Sequence, residues 1–509
     1  MIELLTITEM AEADRLAIAG GVAGIKLMEN AGRAVADAVV RLNPRPVSAV
    51  CVVAGSGNNG GDGFIAAQVL AKRGYPVRVL LLGELGKLKG DAAEAARRWQ
   101  GQTLAATPEA LKDCGIIVDA LFGAGLDRPV EGQAAALIAA MNASGVPIVA
   151  ADLPSGINGA SGAVMGCAVR AMKTVTFFRR KPGHMLLPGR LHCGSVHVAD
   201  IGIPETVLDR IRPRLRVNCP ELWAGQFKMP SVEGHKYARG HAVVVSGGIS
   251  STGAARLAAR AALRAGAGLV TLASPREALA VNAAASTAVM VRAVDGGGEL
   301  ASLLADRRFN AIVVGPGGGV GSAMQELVLA ALTGERAVVL DADALTSFEP
   351  TPEILFASIR GKLAANSSHV SHEIVLTPHE GEFQRLFRNL SETIDITSKY
   401  SLVLVAAAAS GAIVVLKGPD TVVASPDGRA AIAENAPPWL ATAGSGDVLA
   451  GLIGGLLAQG MPGFEAACAG VWLHGEMGNE AGPGLIAEDL AEVLPRVYRR
   501  LFADLGQRA

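Results

Sequence analysis

Short apolar runs rich in β-branched residues alternate along this chain with longer Ala-rich segments whose apolar positions recur at helical spacing. That alternation predicts successive βαβ units around a largely parallel sheet. In the first part the expected strands are VSAVCVVA before Gly55, PVRVLLLG after Tyr75, GIIVDAL around Asp119 and VPIVAADLPSG around Asp152. Each ends in a polar or glycine-rich turn. From Ile203 to Lys228 the pattern lapses into a charged, proline-punctuated stretch, which reads as a domain junction. Beyond it the alternation resumes in HAVVVSGG, AGLVTLAS, NAIVVGPGGG, RAVVLDADAL, EIVLTPHEGEF and GAIVVLKGPDTVVASPDG, the last read as a strand pair with a PDG turn. The longest uncharged run, Tyr400 to Leu416, is interrupted by Ser410 and Gly411 and reads as a buried helix turning into a strand rather than a membrane span.

Composition narrows the partners. A chain of 509 residues suggests two or three domains. With 46 basic against 47 acidic side chains the net charge is -1, so nothing draws the molecule toward nucleic acid or an acidic membrane, and a small-molecule partner is expected. The start, MIELLTITEMAEADRL, lacks the basic flank and apolar stretch of a secretory signal, so a cytoplasmic location is expected. Cys51, Cys114, Cys167, Cys193, Cys219 and Cys468 show neither a CxxC pair nor zinc-ligand spacing and are expected to be reduced thiols. A homo-oligomer is compatible with all of this.

The candidate chemistry begins at GSGNNGGDG, residues 55–63. Gly55, Gly57 and Gly60 fit GxGxxG between a strand and a helix, where backbone amides approach a pyrophosphate, and Glu84 at the end of the next strand is placed to meet a ribose. A turn needs only glycine. Asn58, Asn59 and Asp62 add side-chain oxygens that must be solvated, bonded to a ligand or bound to a cation. Asp119 and Asp152 close apolar strands, so both should gather at the carboxyl edge of the sheet, where a hard cation prefers such oxygen ligands. The plain alternative is that each aspartate merely caps the loop that follows it.

With LMENAG, DALFGAGLDRP, DLPSG and TFFRRKPGHMLLPG, the opening loop resembles the NAD(P)H-hydrate epimerase family across essentially the whole first domain. The resemblance implies that the bound dinucleotide is a substrate: NADH or NADPH damaged by addition of water to its nicotinamide ring, whose two hydroxyl epimers are interconverted. It implies that Asn58, Asn59, Gly60, Gly61 and Asp62, with Gly123, Ala124, Gly125, Leu126, Asp127, Arg128 and Pro129, hold the hydrate. It also implies that Asn59, Asp119 and Ser155 coordinate a potassium ion, and Asp152 is the acid/base residue. The chain departs from the family pattern at Asn158, where an acid is usual.

In the second part, LATAGSGDVLAGLIGGLLAQG places Gly444, Ser445 and Gly446 before an almost wholly apolar helix, with Asp447 in its first turn. The glycine amides and helix dipole form an anion pocket, and a carboxylate beside a bound phosphate can take a proton from an attacking hydroxyl. A capped helix would look similar. Lys417, Gly418, Pro419, Asp420 and Thr421 follow a strand and offer a lysine and a hydroxyl to a nucleotide; His379, Glu380 and Glu382 follow another, and the acids suit magnesium. Together with HKYARGH, GAARLAARAALRAGAGLV, VGPGGG, DADAL, TPHEGEF, VVLKGPDT and VWLHGE, these resemble the ribokinase-like fold, and within it the ADP-dependent NAD(P)H-hydrate dehydratase, over roughly Pro230 to Leu501. The implied reaction moves the β-phosphoryl of ADP to the hydroxyl of the S hydrate and eliminates phosphate, with Asp447 as base. The resemblance assigns Lys417 to Thr421 with Gly444, Ser445 and Gly446 to the nucleotide, and Gly253, Ala254, Gly317, Gly318 and His379 with Asp447 to the hydrate.

The expectation is therefore an α/β protein of two three-layer α/β/α domains, a Rossmann-like one over residues 1–215 and a ribokinase-like one over residues 226–509. Three rivals compete with the repair reading: a vitamin or sugar kinase fused to a dinucleotide-binding module, a first domain that senses ligand without turnover, and a dehydrogenase, for which no further hydride-transfer constellation is evident.

Overall fold

The computed structural model describes residues 1–43, 49–229, 233–365, 373–391 and 398–506. The chain divides into two compact units, Glu3–Leu215 and Arg216–Ala509. Val47 and Ser48 at the head of the first expected strand, and Pro230 at the start of the second expected motif region, lie outside the described residues.

The first unit is built on β1 (Ala49–Ala54), β2 (Val77–Leu81), β3 (Gln102–Ala105), β4 (Cys114–Ala120), β5 (Ile148–Ala151), β6 (Lys173–Phe177) and β7 (Ser195–Ala199). They pair in the order β3-β2-β1-β4-β5-β6-β7, every pair parallel. This is a Rossmann-like sheet. Its two faces are covered by separate apolar clusters, one around Phe64, Ile116 and Val118 and the other around Cys51, Ile117 and Leu137. Alternate residues of β4 therefore serve opposite layers, as the pleat requires. The sequence reading missed β3, β6 and β7. Gln102–Ala105 and Ser195–Ala199 carry exposed edge positions, so neither shows the continuous apolar run that marks a buried strand.

The thiol expectation needs correction: Cys51 on β1 and Cys114 on the neighbouring β4 form a disulfide, with a Cα–Cα distance of 5.9 Å. They stand 63 residues apart and become neighbours only through parallel pairing, which cysteine spacing does not reveal. Cys167, Cys193, Cys219 and Cys468 are free.

The second unit contains β8 (Leu215–Val217), β9 (His241–Val245), β10 (Leu269–Ser274), β11 (Met290–Ala293), β12 (Ala311–Val314), β13 (Ala337–Leu340), β14 (Ile374–Leu376), β15 (Ile413–Leu416), β16 (Val422–Ala424) and β17 (Ala430–Ile432). Their order is β11-β10-β9-β12-β13-β14-β15-β16-β17-β8. The pairs from β11 to β15 are parallel and the last two before β17 antiparallel, the ribokinase-like arrangement expected from the motifs. The PDG turn joins β16 to β17, a strand the sequence reading did not include. The uncharged run becomes the helix Lys399–Ser410, ended by Gly411 at φ 77°, and then β15. Trp223, in the stretch read as a junction, is fully buried in the core of the second unit with Leu452 and Leu494.

Candidate active sites

In the first sheet the chain leaves β1 toward β2 and leaves β4 toward β5, in opposite directions, so their outgoing loops part and open a crevice at the carboxyl edge. A cavity of about 940 Å³ lies there, lined by Asn58, Asn59, Asp62, all of Gly123 to Pro129, Asp152 and, unforeseen as a group, Asp14 and Lys181. Gly60 and Gly61 do not line it. A Cβ at Gly60 would collide with the Gly55 carbonyl, one at Gly55 with the Leu121 carbonyl, and one at Gly61 with Met28 Sδ. These glycines let the helix Asn58–Lys72 seat against the loop after β4; Gly57, its N-cap, faces open space. Glu84 is an exposed turn residue bonded to Lys87 at 2.8 Å and is not part of the cavity wall, which corrects the ribose expectation.

Two strand-end carboxylates organise the loop after β4. Asp119 is fully buried and accepts from Ser155 N at 2.8 Å, Ser155 Oγ at 2.5 Å and Leu121 N at 3.3 Å. Ser155 Oγ in turn accepts from Phe122 N at 2.9 Å. Burial pushes Asp119 up to about 6, against the pull of the Ser155 and Leu121 bonds. Two residues further along, Asp152 Oδ2 accepts from Ala124 N at 3.0 Å. The expected cation ligands Asn59, Asp119 and Ser155 supply oxygen only, and Asn59 keeps both side-chain polar atoms buried without a hydrogen-bond partner. An all-oxygen set with an orphaned amide fits a hard cation.

Asp152 adopts φ 63°, in the left-handed region that Asp tolerates better than most residues, and is pinned there by Asp152 N donating to the Val175 carbonyl at 2.7 Å. Its Oδ1 accepts from Lys181 Nζ at 2.7 Å and Thr176 Oγ1 at 3.1 Å. Burial alone would raise this carboxyl, but the Lys181 charge and hydrogen bond, with the Ala124 amide, hold it down to about 2. His184 Nδ1 accepts from Lys181 N at 3.0 Å, so its Nε2–H donates to the Asp152 carbonyl at 2.8 Å. Burial keeps this imidazole neutral, down to about 4. Lys181 and His184 sit in TFFRRKPGHMLLPG, which marked the family without suggesting their task. Asn158, the departure from the family pattern, accepts from Ala160 N and Ser161 N and donates to the Leu126 carbonyl, so it braces the Gly123–Pro129 loop.

In the second sheet the direction reverses between β9 and β12; Gly253 lies in the first turn of the helix Thr252–Ala265 that follows the loop leaving β9, and Gly317 in the loop leaving β12. Gly317, at φ 63°, has the Ser251 carbonyl and Ala254 Cβ against the position of its missing side chain, so the two loops pack together; Gly253 opens to solvent and Gly318 packs on Met324. Lys417 is the centre of the neighbouring groups. Its Nζ donates to Asp341 Oδ1 at 2.7 Å, the position of a Cβ on Gly446 lies 3.3 Å from it, and its backbone bridges to His379. Asp447 is partly exposed at the start of the helix Ser445–Ala458, and burial with Asp341 raises it to about 6 despite Lys417, Asp343 adding to the rise. Ser445 is buried against His474 Nε2 at 3.1 Å, and burial lowers His474 to about 4.

The remaining expected residues divide by task. Asp420 is buried and bonded to Lys399 Nζ at 2.6 Å, while Thr421 Oγ1 closes the Gly418 turn at 2.7 Å, so both shape the loop. His379 caps the helix Glu380–Leu386 through Nδ1, and Glu382 Oε2 accepts from its amide at 2.9 Å. Sequence reasoning missed Asp341, Lys399 and His474; DADAL and VWLHGE were noted as motifs without roles for them. A separate cavity of about 710 Å³, lined by His241, Asn310 and Gly460, lies at the opposite, amino edge of this sheet.

The molecule is thus a two-sheet α/β protein with a ligand crevice at the switch point of the first sheet and a cluster of glycine motifs, Lys417 and Asp447 in the second unit. A family profile described as YjeF-related protein N-terminus matches residues 24–183, and one described as NAD(P)H-hydrate dehydratase matches residues 242–496. The chain is 35% identical to the bifunctional NAD(P)H-hydrate repair enzyme of Moorella thermoacetica over 98% of its own length and 97% of that protein. It is 34% identical to the Coxiella burnetii enzyme of the same name over 95% and 96%. The solved ADP/ATP-dependent NAD(P)H-hydrate dehydratase from Bacillus subtilis, co-crystallised with ATP and Mg2+, is 26% identical, covering 56% of this chain and 98% of that one with a TM-score of 0.45. The chain belongs to the bifunctional NAD(P)H-hydrate repair enzyme family.

Proposed function

We propose that the first unit interconverts the R and S epimers of hydrated NADH and NADPH, and that the second dehydrates the S epimer at the expense of ADP, yielding NADH or NADPH, AMP and phosphate. The observation that carries this reading is Asp152, a carboxylate held ionised by a buried lysine at the wall of a cavity large enough for a cofactor. An ionised carboxylate beside a hydroxyl-bearing ring carbon removes and returns a proton. Asn58, Asn59, Asp62 and Gly123 to Pro129 hold the hydrate, with Gly60 and Gly61 acting by seating the helix. Asn59, Asp119 and Ser155 hold potassium, which supplies positive charge near the substrate when bound.

In the second unit Asp447 takes the proton of the hydrate hydroxyl as it attacks phosphorus, and the amides of Gly444, Ser445 and Gly446 support the phosphate oxygens. Lys417 with Gly418 and Pro419 meets the nucleotide, while Asp420 and Thr421 hold that loop in shape. Gly253, Ala254, Gly317, Gly318 and His379 form the hydrate side, and Glu380 and Glu382 suit the nucleotide's magnesium. Water addition gives two epimers and a stereospecific dehydratase takes one, so the fusion drains both through a single exit. No helix among the described residues is long and apolar enough to cross a membrane.

The test supplies mixed hydrate epimers with ADP or ATP and follows the return of nicotinamide absorbance. Recovery of the reduced cofactor with phosphate release supports the reading; accumulation of a stable phosphorylated product would instead support the kinase alternative. Replacing potassium with lithium should slow epimerisation and leave dehydration of pure S hydrate unchanged.

A further inference from the structure

The N-terminal cavity holds more acid than its single base requires. Asp14, Asp62 and Asp152 all line it with one lysine, Lys181, alongside Asp91, Asp127, Arg128 and Glu131; of the cations only Lys181 acts on Asp14 and Asp62. The three ammonium protons of Lys181 are committed, to Asp152 Oδ1 at 2.7 Å, Thr176 Oγ1 at 2.9 Å and the Phe177 carbonyl at 3.3 Å. That cation therefore balances Asp152 and leaves nothing over. Asp62 is only 8% exposed and, among the described residues, has no hydrogen-bond partner, so a second buried carboxyl faces the cavity unneutralised. Asp14 stands on the helix Ile7–Ala19, fixed by a capping box between Thr6 and Glu9 and by buried Ala13, Leu16 and Ala17. Arg15, the neighbouring cation, is bonded to Glu12 on the exposed side. Like charges in a desolvated space cannot all persist, so the cavity carries protons on the Asp14 and Asp62 pair. Burial pushes Asp14 up to about 6 against the pull of Lys181, with Asp152 adding to the rise; burial, then Asp152 and Asp14, pushes Asp62 far higher. Asp62 keeps its proton. Asp14, more accessible and balanced nearer neutrality, can give one and take it back.

We propose that Asp14 is a further catalytic residue of this cavity, the acid that works opposite Asp152 when the hydrated nicotinamide ring opens and recloses. The proposal rests on the epimerase reading of the cavity. In the opening step Asp152 takes the hydroxyl proton, and the oxygen electron pair forms a carbonyl at the former hydroxyl carbon. The bond from that carbon to the ring nitrogen breaks with its pair on nitrogen, which accepts the proton of Asp14. Rotation presents the other carbonyl face. Nitrogen then attacks carbon and returns its proton to Asp14, while the oxygen recovers its proton from Asp152. Both carboxyls end as they began, and no outside reagent is consumed.

The experiment measures epimerisation of separated R and S hydrates by the full chain and its Asp14→Asn and Asp14→Glu variants, with cooperative unfolding of the first unit as the control for folding and ADP-driven dehydration of S hydrate as the control for the second site. The expected result for Asp14→Asn is a kcat for epimerisation lower by about a hundredfold or more, a KM within a few-fold, and unchanged dehydration. Asp14→Glu, which keeps an acid, should recover at least part of that rate. Asp14→Asn at the full rate overturns this proposal alone; a wild-type chain that interconverts nothing overturns the epimerase reading and the proposal with it. Should both variants lose cooperative unfolding, the wild-type pH profile decides. With Lys181, Asp152 and Asp62 as the charged groups facing Asp14, kcat must decline as pH rises through the ionisation of Asp14, and a flat profile into the alkaline range overturns the assignment.

Discussion

Lys181 Nζ lies 2.7 Å from Asp152 Oδ1, with the lysine side chain 2% exposed. An ion pair this enclosed gives little net stability but is costly to break from one side. In Lys181→Met the carboxylate keeps its burial and loses its countercharge, so its proton affinity rises from the present value of about 2. Epimerisation should fall by about a hundredfold or more, with the remaining rate shifted to higher pH. Unfolding of the first unit should be easier by about 3 kcal/mol, read by chemical denaturation.

Asp447 gives the second unit a pH signature. Its carboxyl is raised to about 6, chiefly by burial and then by Asp341, partly offset by Lys417 and increased again by Asp343. The basic form is lost as pH falls below that value. Dehydration of S hydrate should therefore drop roughly tenfold per pH unit on the acid side, measured as kcat/KM. Asp447→Asn should abolish this limb and most of the rate, leaving epimerisation intact.

Gly60 is a packing residue within a binding motif. Its missing side chain would occupy the space of the Gly55 carbonyl, and backbone cannot retreat as a flexible side chain can. Gly60→Ala should destabilise the first unit by about 2 kcal/mol or more, seen in thermal unfolding, and weaken hydrate binding by shifting Asn58 and Asn59.

Lys399 acts on the proposed nucleotide loop from outside it. It bonds to Asp420 at 2.6 Å, and the position of a Cβ on Gly418 lies 3.0 Å from its Nζ. Lys399→Ala removes the ammonium that Asp420 holds at 2.6 Å, so the loop from Lys417 to Thr421 should loosen. The expected outcome is a KM for ADP raised by about tenfold, with kcat changed much less.

Strand-end chemistry was legible because parallel strands are apolar runs and their loops begin where the run stops. Asp119 and Asp152 could be placed at the carboxyl edge of the first sheet from that alone, whereas Asp447 was legible from the glycine motif at the head of an apolar helix. Lys181 and Asp14 were not legible as site residues. A lysine in RRKPG and an aspartate in an amphipathic first helix have the pattern of solvated charges, and only the folded cavity brings them to Asp152. Gly55 and Gly60 erred in the other direction: their spacing resembles a phosphate-binding turn, while their contacts are with backbone carbonyls. The Cys51 and Cys114 pairing was hidden for the same reason as Lys181, since register between non-consecutive strands is a tertiary fact.

The claim that two independent sites in one chain drain both epimers is tested most directly by Asp152→Asn. Given mixed hydrates and excess ADP, the wild-type chain should return all of the nicotinamide absorbance, whereas Asp152→Asn should recover the S share at the wild-type rate and then stall with R hydrate remaining. Full recovery of both epimers by Asp152→Asn at the wild-type rate would contradict the account.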